Sequence, residues 1–409
     1  MNKFFTNILF LLSGTAGAQL IGFLSMPIIT RQYGPEAFGI LGFVMAITNV
    51  INPISSLTLP SSIVIADEKE IKNIDALSRV ISILMTILTL LLCSIYVHFY
   101  RQEDYYLYFI FVSVYFSTIY QIEQNKIIRH GDFKKISKSF IASSFIINAS
   151  KILFAFIYPE AFVLVLISIL TPMIQSFFIV DGYKKVIFHF NGFQKNTPLK
   201  VLKKYKNFPL YKSPQVLLNA MTQSLPVIIL ASKFGVVFSG YYSLARMVIG
   251  VPINLINKSV GDVFYSKLSE LKRCNKKIFP EIKRVTVLLF LIMSIPFFVF
   301  SQIAPDIFII VFGEKWEISG TYSAWMSLWL LFALINRPSV MAIQVLGLQK
   351  QYLFYETITM FIRVAIFYYI SVVFEDPLFA VQSFSVISCV INILLICWVF
   401  SKAINHDKY

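Results

Sequence analysis

Four cations stand inside stretches that otherwise read as hydrocarbon: Lys151, Arg246, Arg337 and Arg363. A cation near the middle of a bilayer costs about 2.5–3.5 kcal/mol on insertion scales, so four together cost on the order of 10 kcal/mol unless something offsets them. Two arrangements do so: pairing with buried carboxylates, or a water-filled cavity that admits an anion. Acids at that depth are few. Glu356 lies two turns before Arg363, and Glu123 sits near the end of its own apolar stretch. Cations outnumber them, which favours the anion. A guanidinium suits phosphate because its planar fork meets two oxygens at once, whereas a lysine ammonium is a mobile point charge. A pyrophosphate group is therefore a natural guest. For Arg246 and Arg363 ligand binding leads, with structural pairing or snorkelling as the alternative. For Lys151 and Arg337 that order reverses, because Arg337 adjoins Pro338 and could hydrogen-bond carbonyls freed at a proline break. Glu356 and Glu123 are candidates for a coupling proton or sodium ion, against a structural role at a helix end.

Other chemistries lack their residues. No GxSxG, P-loop or HExxH pattern occurs, and His98, His130, His189 and His406 are dispersed. Cys93, Cys274, Cys389 and Cys397 form no CxxC or Cys/His ligand spacing, so neither disulfide, metal nor cofactor is expected.

The elements that hold these residues are set by composition. In 409 residues, 57% are hydrophobic and only 14% charged, and the mean hydropathy is +0.72; water could not hold such a chain as a soluble domain. A spanning helix needs roughly 20 apolar residues. About twelve such stretches are predicted, at 6–30, 37–63, 77–99, 105–123, 138–158, 160–180, 213–232, 236–260, 284–304, 321–346, 352–374 and 378–401. The fold class expected is an all-α membrane protein. The start, Lys3 followed by apolar residues and Ala16-Gly17-Ala18, imitates a signal peptide, but the apolar run continues through Ile21, Phe23 and Ile28 and predicts a retained first helix.

The net charge of +15 could serve nucleic acid, but its distribution points elsewhere. With the N-terminus inside, the even-numbered connections carry Lys69, Lys72, Arg79, Lys126, Arg129, Lys134, Lys135, Lys267, Lys272, Arg273 and Lys350, while the opposite ones carry only Arg31, Arg101, Lys233 and Lys315 beside acids. That asymmetry predicts both termini in the cytoplasm. The longest connection, 181–212, is rich in lysine, including Lys184, Lys185, Lys195 and Lys204. Within it Val201, Leu202, Tyr205 and Phe208 could share one helical face. This segment either lies on anionic headgroups or is a solvated tether.

A repeat spans that loop. Tyr33-Gly34-Pro35-Glu36-Ala37-Phe38-Gly39 joins the first two helices, and Phe234-Gly235-Val236-Val237-Phe238-Ser239-Gly240 joins the seventh and eighth. The aromatic and both glycines keep their spacing, so Gly34, Gly39, Gly235 and Gly240, with Arg31, read as turn or gate positions. Two six-helix lobes in parallel repeat follow, 1–180 and 213–409, joined by a basic linker at 181–212. Gly14, Ala18 and Gly22 make a small-residue face that allows close helix packing or leaves room for substrate. Pro53, Pro60, Pro172, Pro226, Pro252, Pro296 and Pro338 fall inside predicted spans and each can kink its helix.

The run from Ser13-Gly14-Thr15-Ala16-Gly17-Ala18-Gln19 through Pro27 and Thr30-Arg31-Gln32-Tyr33-Gly34-Pro35-Glu36-Ala37-Phe38-Gly39 resembles the polysaccharide (O-antigen) flippases of the multidrug/oligosaccharidyl-lipid/polysaccharide exporter superfamily. So does Ser239-Gly240-Tyr241-Tyr242-Ser243-Leu244-Ala245-Arg246 with Pro252. The resemblance implies a MATE-like two-lobed transporter, not an enzyme, with a cationic central cavity that opens alternately to each face. The implied cargo is an undecaprenyl-pyrophosphate-linked oligosaccharide, an O-antigen or capsule repeat unit, moved from the cytoplasmic to the periplasmic leaflet of a bacterial inner membrane. A polymerase and chain-length regulator are the implied partners, besides membrane lipids. Arg246 and Arg31 fall in matching motifs; Lys151, Arg337 and Arg363 rest on burial alone. The rivals are a drug/cation antiporter on the same fold, which should carry buried carboxylates instead, a membrane polymerase, which needs larger outer loops, and a scaffold that transports nothing.

Overall fold

A computed structural model of the chain describes residues 3–99, 105–180, 198–274 and 276–407, and every regular element among them is helical. Lys184, Lys185, Lys195, His189 and Arg101 lie outside the described residues. The chain divides into two compact units, Met1–Ser224 and Leu225–Tyr409. Eleven helical stretches among the described residues are long and apolar enough to cross a membrane. Ahead of them, helix α1 (Lys3–Gln32) falls on the first predicted span.

In the first unit, α1 packs along α5 (Phe133–Ile157). The small-residue face makes this possible. A Cβ at Gly14 would lie 1.8 Å from Ser137 Oγ and 2.7 Å from its Cα, and one at Gly22 would touch Asn148. Between them Ser144 Oγ donates to the Ala18 carbonyl at 2.7 Å. Gly14, Ala18 and Gly22 are therefore a packing surface, one of the two uses expected of them.

The predicted second span, 37–63, is not one helix. Helix α2 (Pro35–Ile51) gives way to 3-10 turns at Asn52–Ile54 and Leu59–Val64, and Leu57 and Thr58 take positive φ of 50° and 53°. Pro53 and Pro60 each remove a backbone donor. The neighbouring helix α4 (Ile110–His130) satisfies the loosened segment: Gln121 Nε2 donates to the Asn52 carbonyl at 3.0 Å, Asn52 Nδ2 to Ser113 Oγ at 2.9 Å, and Ser55 and Thr118 hydroxyls meet at 2.6 Å. A break at membrane depth persists where protein supplies such partners. Helix α3 (Glu68–Phe99) begins nine residues before its predicted start at 77. The predicted sixth span is split into α6 (Ala161–Ile169) and α7 (Thr171–Ile179), just ahead of Pro172.

The amphipathic segment of the central loop is a short helix, α8 (Pro198–Lys204). Its apolar face is neither laid on headgroups nor solvated. Val201 and Tyr205 are buried against Leu59, Ile63, Ala66, Ile74 and Ile122, with Leu202 and Phe208 packed alongside. A protein surface was available to take that face, and docking there removes the same apolar area from water that lipid would have. Helix α9 (Ser213–Lys233) follows, and the division between units falls within it.

The second unit comprises α10 (Val236–Arg273), α11 (Phe279–Phe312), α12 (Glu317–Ile335), α13 (Arg337–Leu346), α14 (Gln349–Val373) and α15 (Pro377–His406). Helix α12 packs on α10, α11 and α15, while α13 lies against α10. At one crossing a Cβ on Gly320 would meet the Pro305 Cα at 2.5 Å, so only glycine lets these backbones approach. The predicted tenth span, 321–346, comprises α12 and α13 meeting at Asn336, whose N–H still donates to the Phe332 carbonyl at 2.9 Å, with Pro338 in the first turn of α13. By contrast α10 continues through Pro252 and extends well past its predicted end at 260.

Candidate functional site

Arg337 opens α13 directly after Asn336, and its guanidinium reaches α10, where Nε donates to the Asn257 carbonyl at 3.2 Å. It lies over Gly261, one turn further along the same face, with Nε only 2.8 Å from where a Cβ would stand. Its terminal nitrogens have no protein partner among the described residues and are not sealed from their surroundings.

Arg363, on α14, is bound less. Its Nε is buried without a hydrogen-bond partner, and among the described residues it forms no ion pair. Its electrostatic neighbours are Glu356, Tyr355 and Tyr352 on the same helix, and Tyr352 also feels Arg337. The fold thus gathers Arg337, Arg363 and Glu356 within the second unit. Glu356 makes no ion pair within 4.0 Å among the described residues. Around them lie further unmet polar atoms, the buried Asn257 Oδ1, Asn336 Oδ1 and Ser339 Oγ, while Asn336 Nδ2 donates to Asn392 Oδ1 at 3.0 Å. In an apolar setting each unmet donor or acceptor costs free energy. Of these groups the guanidinium nitrogens and the Ser339 hydroxyl can donate to an anionic guest, whereas the two amide oxygens can only accept.

The remaining predicted residues are placed apart from this group. Lys151, on α5 in the first unit, is half-buried and has no ion-pair or hydrogen-bond partner among the described residues. Arg246 is half-buried on α10, one turn beyond the fully buried Tyr242. Arg31 is exposed at the end of α1. Of the turn glycines, Gly235 has φ +97° and ψ 161°, a region reserved for glycine. Gly34, its counterpart in the repeat, has φ −77° with open space around it, so any residue fits that turn. Gly39 and Gly240 are buried inside α2 and α10.

Glu123 sits in a cluster the sequence reading did not find. Asp75 accepts from Arg79 Nε and from Lys126 Nζ, both at 2.6 Å, and Glu123 meets Lys126 at 2.8 Å and Arg79 at 3.9 Å. Two acids and two bases close on one another between α3 and α4. The signal was present as Asp75/Arg79 at i,i+4 and Glu123/Lys126 at i,i+3, hidden because the two cations read as orientation charges. Nearby, Arg129 donates to the Ile63 and Ala66 carbonyls, and Lys204 meets Asp67 at 3.0 Å and Glu70 at 2.8 Å while the Tyr205 hydroxyl donates to Glu70 at 2.6 Å. The hydrogen bond from Lys204 holds the Asp67 carboxyl below its ordinary value, and its bonds to Glu70 and Asp67 raise the Lys204 ammonium above its own. No group of three or more metal-ligating side chains is found among the described residues.

Residues 28–320 match the family described as polysaccharide biosynthesis protein. No curated protein matches the chain. Among solved structures it is similar to the inward-facing conformation of a multidrug resistance MATE family transporter of the MOP superfamily, with a TM-score of 0.74 and 13% identity over 95% of this chain and 96% of that one. It is equally similar to the lipid II flippase MurJ in an inward closed conformation, with a TM-score of 0.74 and 14% identity over 96% and 87% of the respective chains. A MOP superfamily transporter from Pyrococcus furiosus, described as having a binding pocket of reverse polarity, aligns with a TM-score of 0.62 and 13% identity over 98% and 95%. At such identities the likeness is one of fold. A family match over more than half its length, on this all-helical scaffold, makes the chain a member of the polysaccharide biosynthesis protein family with the fold of MOP superfamily transporters.

Proposed function

We propose that this chain is a flippase that carries an undecaprenyl-pyrophosphate-linked oligosaccharide, an O-antigen or capsule repeat unit, from the cytoplasmic to the periplasmic leaflet by alternating access. The observation that carries the reading is the buried, unpartnered Nε of Arg363. Glu356 neighbours this guanidinium but closes no ion pair with it, and a cation kept in an apolar span on those terms is explained by an anionic passenger. Arg337 offers its terminal nitrogens to the same guest, and Arg246 and Lys151 are further candidate substrate contacts. Glu356, which holds no cation, is the candidate for a coupling proton or sodium ion; Glu123, already paired with Lys126 and Arg79, acts as a brace.

The family membership supports this reading over a drug/cation antiporter, and the acids Asp75 and Glu123 are already neutralised by their own cations. Both termini lie in the cytoplasm of a bacterial inner membrane, with lobes 1–180 and 213–409 working against one another and a polymerase and chain-length regulator receiving the product. Deleting the chain tests the proposal. Single undecaprenyl-linked repeat units should accumulate on the cytoplasmic leaflet; accumulation on the periplasmic leaflet would assign the missing step to polymerisation and refute it.

A further inference from the structure

Glycine inside a helix weakens it, because it has more backbone freedom to lose than alanine, so a buried mid-helix glycine calls for a reason. At Gly261 on α10 the reason is visible. A Cβ there would stand 2.8 Å from Arg337 Nε, 2.9 Å from Nη2 and 3.3 Å from Cζ. The planar guanidinium therefore occupies the space that any other residue would fill with its own side chain. One turn earlier on the same face, the Asn257 carbonyl accepts from Nε at 3.2 Å. Missing Cβ and carbonyl together make a seat. The Nε side is held down with Nη2 beside it over the glycine, and the outer end of the fork at Nη1, the nitrogen furthest from the seat, stays available.

From this geometry we infer that Gly261 is a positioning residue for substrate: it seats Arg337 so that the outward edge of the guanidinium is presented to the pyrophosphate. This rests on the reading of Arg337 as an anion contact. The seat is specific to the flat fork, because an ammonium carries neither the plane nor the second edge. It also predicts an unusual mutant. The atoms that a new Cβ would meet are the far end of a flexible side chain rather than backbone, so Gly261→Ala displaces the guanidinium and leaves the helix intact or firmer.

The test is a double-mutant cycle on the full-length chain in detergent, reading binding of undecaprenyl pyrophosphate by quenching of intrinsic tryptophan fluorescence, with the unfolding midpoint recorded alongside. Gly261→Ala and Arg337→Ala should each weaken binding about tenfold, as expected for loss of a charge-assisted hydrogen bond. Together they should weaken it no further than Arg337→Ala alone, and the midpoint of Gly261→Ala should not fall. Equal weakening by Gly261→Ala with and without Arg337, or no weakening while Arg337→Ala weakens, would overturn the positioning role and leave the anion site standing. Unchanged binding in both Arg337→Ala and Arg363→Ala would overturn the anion site itself, and the positioning role with it.

Discussion

The two units use the same kinds of residue to opposite ends. In the first, Asp75, Arg79, Glu123 and Lys126 close into a neutral set across α3 and α4, every member within ion-pair distance of another. In the second, Arg363 and Arg337 form no ion pair among the described residues, although Glu356 neighbours Arg363, and one guanidinium nitrogen is buried with no partner. Paired charges hold helices together; unpaired ones in an apolar span cost stability and need a guest to explain them. The turns differ in the same spirit. Gly235 occupies backbone space open only to glycine, while Gly34 does not.

The comparison breaks most visibly at Asp75. Asp75→Asn leaves the buried Arg79 and the half-buried Lys126 sharing one acid and should cost about 3 kcal/mol, as removal of one partner from a buried pair does; a lowered unfolding midpoint in detergent measures it. A neutral outcome would mean that the closed set is not structural. The turns come next. Gly235→Ala should cost about 1–3 kcal/mol by forcing a side chain into a forbidden region, whereas Gly34→Ala should be near neutral. Equal costs would erase the distinction between the two halves of the repeat.

The smallest effect is at the docked segment of α8. Because Lys204 depresses the Asp67 carboxyl, the carboxylate stabilises the folded form at and above its ordinary value of 3.8, and that contribution is lost as pH falls through the depressed value. The raised Lys204 ammonium contributes below its ordinary value of 10.5 and fades as pH rises through the raised one. Between these limits the docking is flat with pH. Protection from hydrogen exchange across 198–208 should therefore be high and unchanged around neutral pH, and should weaken as pH falls below the ordinary carboxylate value of 3.8. Lys204→Ala should speed exchange modestly at neutral pH, and a segment exchanging freely at pH 7 in the unaltered chain would contradict the docking.

Much of this architecture could be read in advance, for stated reasons. Spans announce themselves by length and hydropathy, and the small-residue stripe of Gly14, Ala18 and Gly22 found its partner in α5. The prolines marked helices that could break, but which ones broke depended on neighbours. Pro53 and Pro60 lie in a broken segment because Gln121, Ser113 and Thr118 satisfy it, while α10 runs through Pro252 unbroken. Pairings distant in sequence were the least legible. Lys126 meets Asp75 from 51 residues away, and Lys204 meets Asp67 from 137, with no local pattern tying them. The candidate cations were legible from cost alone. That Arg337 would sit on a glycine depends on the packing of α13 against α10, which no spacing encodes.

The central claim is that Arg363 is kept for a passenger rather than for the fold. It is tested by measuring, on one preparation of Arg363→Ala, both the unfolding midpoint in detergent and the transfer of undecaprenyl-pyrophosphate-linked repeat units across proteoliposomes. Removing an unpaired buried cation should leave the midpoint unchanged or raised while transfer stops, with partial transfer restored by Arg363→Lys. A variant that transfers normally, or one that unfolds as readily as Asp75→Asn, would contradict the account.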